Sequence, residues 1–179
     1  MSGAEKLHAF PYKYLKGPIP LEELQQGPTE GNCRLAVQDY FYTVHGLFLG
    51  REEIVLPEAY RNTGKIVSDF KGDVVVFFKD LQVGDIIYAE KLRDRKERMF
   101  RHQRNSYPTE DEWLISLHMG IYFGIPTDDL LSRMPTDGQI DREKPAVWHA
   151  SFIAGGTALW TVDKFCHYYQ PVVAKRLLT

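Results

Sequence analysis

From residue 33 to residue 46 the apolar side chains Ala36, Val37, Tyr40, Phe41 and Val44 recur at three- and four-residue steps. That spacing puts them on one face of an amphipathic helix, with Asn32 before it as an N-cap candidate. Further on the pattern changes to strands: residues 74–78 and 85–91 read as two strands separated by Leu-Gln-Val-Gly. In residues 113–124 the odd positions Trp113, Ile115, Leu117, Met119, Ile121 and Phe123 are apolar, while the even ones include Ser116, His118, Gly120 and Tyr122. A strand with one core face and a second face carrying a histidine with space around it is the expectation. Residues 146–153 and 157–162 read as two strands joined through Gly155 and Gly156, and 172–178 as a strand that closes the sheet.

Between these elements lie segments with other signals. Pro11, Gly17, Pro18, Pro20, Gly27, Pro28 and Gly31 break up positions 1–31, which read as an irregular arm apart from a helical turn at 21–26. A short helix is expected at 57–63. Residues 93–104 are basic, 109–112 are acidic, and 126–145 form a loop rich in Asp, Pro and Gly. No internal repeat or low-complexity tract occurs.

With 179 residues and 44% hydrophobic content, the chain has the size of one domain, read as an arm over 1–31 and a core over 32–179. A formal net charge of −2 supplies no global attraction to nucleic acid or to an anionic membrane. No basic-then-apolar leader and no run of membrane-span length is present, so a cytoplasmic protein is expected. In that compartment Cys33 and Cys166 are expected to remain free thiols.

Cys33 stands in the first turn of the helix, where unpaired N–H groups and the helix dipole favour a thiolate and can steady an oxyanion. A free cysteine is also commonly a small buried hydrophobe. His118 on its strand, and His149 in Ala-Val-Trp-His-Ala-Ser, supply the two further groups that a nucleophile–base–orienter arrangement requires. Taken singly, a strand histidine such as His118 is more often a packed or surface residue than a base, and for His149 a surface role and a functional one are about equal. Cys166, among the aromatics of Val-Asp-Lys-Phe-Cys-His-Tyr-Tyr, reads as a packing residue. The paired ligand spacings of a structural zinc site are missing, and no cofactor motif is present.

Four stretches together resemble the NlpC/P60 family of papain-like cysteine peptidases and amidases. GNCRLAVQDYFYTVHG is similar to its nucleophile helix, IVLPEAYRNTGKIV to its following "LP…G" segment, LQVGDIIYAE to its "L-x-x-G-D" strand, and LHMGIYFG to its "H-V-G-I-Y-x-G" strand. WHAS resembles the strand that carries the third catalytic residue. The resemblance implies an α+β, papain-like fold with a nucleophile helix packed on an antiparallel sheet. It also implies a cysteine hydrolase with Cys33 as nucleophile, His118 as base and His149 as orienting residue.

The sequence departs from the family's Asp-Cys-Ser-Gly at Asn32, Arg34 and Leu35, and it carries insertions at 68–79 and 124–146. The tyrosine that the family carries ahead of its nucleophile has no clear counterpart in LEELQQGPTEGN, where Gln25 or Gln26 is the candidate for its role. The expected partner is a small acidic peptide or amide, with Arg101 and Arg104 of the basic stretch reaching its carboxylate. An acyltransferase, an esterase of the same fold and a non-catalytic binding module are the alternatives.

Overall fold

The computed structural model describes residues 32–49, 54, 64–92, 117–133, 140–151 and 156–177. The expectations for 1–31, 57–63, 93–104 and 109–112, and for Trp113, Ile115, Ser116 and Gly155, lie outside the described residues, as do Gln25, Gln26, Arg101 and Arg104. In chain order the elements are α1 (Asn32–His45), β1 (Lys65–Asp69), α2 (Val74–Phe78), β2 (Ile86–Lys91), β3 (His118–Gly124), α3 (Asp128–Arg133), β4 (Ala146–Ser151), β5 (Gly156–Thr161), α4 (Val162–Tyr168) and β6 (Tyr169–Arg176). The class is α+β. All six strands form one antiparallel sheet in the order β1-β6-β2-β3-β4-β5.

Helix α1 follows the spacing of its apolar residues: Ala36, Val37, Tyr40 and Phe41 are buried at 2% exposure or less. Asn32, expected ahead of the helix, falls inside its first turn. The helix stops at Gly46, whose φ of 67° is open to glycine without strain. Gly46 N–H bonds to Tyr42 O at 2.9 Å and Leu47 N–H to Phe41 O at 3.1 Å, a nested pair of the kind that closes helices at a left-handed residue.

Two expectations are corrected. Residues 74–78 form a helix, not a strand. The Asp73 side chain accepts from Val76 N–H at 3.1 Å and caps the turn, while Phe77 and Phe78 turn inward and leave Val75 and Val76 exposed. Capping and two buried rings outweigh the strand preference of three valines. The stretch 126–145, read as loop throughout, contains α3. In addition β1 was not foreseen, because its sequence Lys-Ile-Val-Ser-Asp has no sustained alternation and it is the edge strand beside β6.

The sheet buries both faces. On one, α1 packs with Ile86, Tyr88, Met119, Ile121, Phe123 and Trp148. On the other, Phe77 and Phe78 of α2 and Phe165 of α4 pack with Ile87, Ala89, Val147, Trp160 and Tyr169. Odd residues of β3 therefore face α1, as expected. The even face is covered as well, and His118 is only 6% exposed, so the expected space around it is not there.

The Gly-Asp pair at the start of β2 has a structural task. Gly84 at φ 99° carries the turn, and Asp85, buried, receives Arg176 Nε and Nη2 at 2.7 Å each and Gln82 N–H at 2.7 Å. This fork ties the start of β2 to the end of β6.

Candidate active site

Strand register brings the two histidines together. Gly120 of β3 pairs with His149 of β4, so His118, two residues before Gly120, is the diagonal neighbour of His149 on the same face. Gly120 is what permits the approach: a Cβ there would stand 2.7 Å from Val147 Cγ1 and 3.4 Å from His149 Cβ. Across this gap His118 Nε2 and His149 Nδ1 lie 2.9 Å apart, in a hydrogen bond.

Aromatic rings fix both imidazoles. Tyr169 stacks on His118 with centroids 4.2 Å apart and an interplanar angle of 11°. Trp160 and Phe165 meet His149 edge to face at 4.4 Å and 5.3 Å. Burial in these surroundings holds His118 well below the ordinary histidine range, with His149 and Lys91 adding to the effect. It brings His149 down to about 3, helped by the charge of Lys164. Both rings are therefore neutral at pH 7. Nε2 of His149 is buried without a hydrogen-bond partner.

Cys33 comes to this region from the opposite side of the sheet. It is partly exposed and packs against the α1-side cluster. Backbone hydrogen bonds from Met119, which directly follows His118, and from Arg34 favour its thiolate, as do the charges of Lys91 and Arg34. Burial outweighs all four and raises the thiol pKa. The resting group is a thiol, contrary to the thiolate expected from its place at a helix start.

The structure thus joins His118 to His149 and sets Cys33 beside the backbone that follows His118. No hydrogen bond links Cys33 to either histidine among the described residues. Cys166, on α4, packs against the histidine-side cluster, and burial with the charge of Asp163 pushes its thiol up to about 12. Among the described residues no three His, Cys, Asp or Glu side chains converge as metal ligands.

The sequence reading missed Tyr169, Phe165 and Trp160 as the walls of the histidine pair. Phe165 and Tyr169, four residues apart across the end of α4, were the available signal. Compared with protein-family models, with curated proteins and with solved structures, the chain shows no significant match. No helix among the described residues is long and apolar enough to cross a membrane.

Proposed function

We propose that the chain is a cytoplasmic thiol hydrolase of papain-like, NlpC/P60 type, with Cys33 as nucleophile, His118 as base and His149 as orienting residue. The observation that carries this reading is the 2.9 Å bond between His118 Nε2 and His149 Nδ1. It engages one nitrogen of His118 and leaves Nδ1 as the base, provided that Nε2 carries the proton and donates it to His149. A neutral His149 accepts that bond on Nδ1 and keeps its own proton on Nε2.

The chemistry then starts from a neutral pair. As Sγ of Cys33 attacks an amide carbonyl, its proton passes to Nδ1 of His118, and the backbone N–H of Cys33 supports the oxyanion. Collapse breaks the C–N bond, the leaving amine takes the proton from His118, and a thioester remains on Cys33. Water, deprotonated by His118, attacks the thioester. The carboxylic acid leaves and the thiol is restored. A short peptide or related amide is the proposed substrate, and an acyltransferase would share every step up to the thioester.

Turnover of a panel of short acidic peptides, neutral peptides, acyl esters and a folded protein tests this. Cys33→Ala and His118→Ala are expected to abolish hydrolysis, and His149→Asn to retain a measurable fraction because an amide can still accept the orienting bond. Full activity in Cys33→Ala or His118→Ala would overturn the assignment.

A further inference from the structure

Strand register sets His149 between two rings. Gly120 pairs with His149, which puts His118 towards Ser151, and Trp160 pairs with Val147, so His118 and Trp160 flank His149 on opposite sides along one diagonal of the same face. His149 turns Nδ1 to His118. In an imidazole the edge opposite Nδ1 is the Nε2–Cδ2 bond, so the side of His149 that faces Trp160 carries Nε2. The two rings stand at 69° with centroids 4.4 Å apart, at the short end of the range for aromatic pairs, a separation that an edge reaches by resting on a face. Phe165 and Tyr169 are also perpendicular to His149, but they stack on each other, and Tyr169 on His118, away from that edge.

Nε2 of His149 has no oxygen or nitrogen partner, and neither has Nε1 of Trp160, so the indole N–H does not donate to it. Buried polar atoms ordinarily find a partner, and the partner on hand is the indole face. That face is electron-rich. It attracts an N–H, as it attracts the Lys164 ammonium held 4.8 Å from the Trp160 centroid, and it repels a lone pair.

We infer that Trp160 is a positioning residue, which receives the Nε2–H of His149 on its face and thereby fixes the tautomers of the histidine pair. With its proton on Nε2, a neutral His149 has only a lone pair on Nδ1. The proton in the 2.9 Å bond therefore belongs to Nε2 of His118, and Nδ1 of His118 is left unprotonated. The use of that nitrogen as a base rests on the hydrolase reading; the tautomers do not.

Long-range proton–nitrogen NMR spectra of the full chain with 15N-labelled histidine, recorded at pH 7 and assigned with His118→Gln and His149→Gln, test this without a substrate. Both imidazoles are expected as the Nε2–H tautomer. The Nε2 proton of His149 is expected upfield of an ordinary imidazole N–H, because a proton above an aromatic face is shielded. Trp160→Phe keeps a face and lacks the indole N–H, so it should keep both features. Trp160→Leu, which has no face, should return the proton to its unshielded position and raise the share of the Nδ1–H form of His149 roughly fivefold. A native His149 protonated on Nδ1, or an Nε2 proton with no upfield shift, overturns the inference whether or not the leucine variant folds. So does a leucine variant that keeps the native shift and tautomers, or a phenylalanine variant that loses both. The hydrolase reading fails separately, if Cys33→Ala still turns over peptide.

Discussion

The two faces of the sheet are buried to a similar depth by different means. Under α1 the contacts are mainly apolar, with Tyr40, Phe41, Ile121, Phe123 and Trp148 filling the space and the Tyr88 hydroxyl donating to Ile54 O. Under α4 a pair of histidines is sealed among Tyr169, Phe165 and Trp160, with a buried His149 nitrogen unpaired. The first face does what a core does. The second spends burial on polar groups that a hydrophobic pair would replace at little cost to stability, a pattern associated with functional sites. Cys33 belongs to the first face and the histidines to the second, so catalysis as proposed takes place where the start of β3 separates them.

The comparison can be broken most sharply by truncating the apolar face. Phe41→Ala, at a fully buried ring, is expected to cost about 3–5 kcal/mol, read as a lowered midpoint in urea unfolding. A loss below about 1 kcal/mol would mean that α1 is not part of the core. The opposite face should respond otherwise: His118→Leu with His149→Leu is expected to stay within about 1 kcal/mol of the native stability while activity is lost, because both partners of the bond are removed together.

Gly120→Ala sits between these cases. Its Cβ would press on Val147 and on the Trp148 carbonyl beside His149, with an expected cost of roughly 1–3 kcal/mol. It should also pull apart the histidine pair, shifting the imidazole nitrogen resonances of His118 and His149 in the NMR spectrum. An unchanged spectrum would show that the glycine does not set the approach.

A smaller effect concerns pH. The folded-state values of both histidines lie below the unfolded value, so the unfolded chain binds more protons in acid. Their contribution to stability is complete above about pH 6.5 and is lost as pH falls, for His149 down to about 3. Unfolding free energy measured from pH 7 to pH 4 should fall more steeply in the native protein than in the double leucine variant. Parallel curves would contradict the burial of the pair. Least in size is a difference in labelling: Cys33, with amides and cations on it, should alkylate at lower pH than Cys166, whose thiol stands near 12.

Much of the sheet could be read from alternation. Met119, Ile121 and Phe123 against His118 and Gly120 placed β3, while short apolar runs bounded by turn residues placed β4, β5 and the second half of β6. Val74–Phe78 misled because three valines announce a strand while the deciding group, Asp73, acts from outside the run. The space around His118 misled for a related reason: a small neighbour such as Gly120 signals close approach by another strand as readily as an open cleft. What covers that face, Phe165 of α4 and Tyr169 at the start of β6, comes more than forty residues later in the chain, and no local pattern reports contact across such a separation.

The proposed reaction hinges on proton transfer from Cys33 to His118. Its most direct test is the acylation of the full chain by p-nitrophenyl acetate, followed by intact and peptide mass spectrometry. A transient, hydroxylamine-sensitive acetyl group should form on Cys33, be missing in Cys33→Ala, and form at least about a hundredfold more slowly in His118→Ala. Acetylation of Cys33 at the same rate with and without His118, or an adduct confined to Cys166 or lysines, would contradict it.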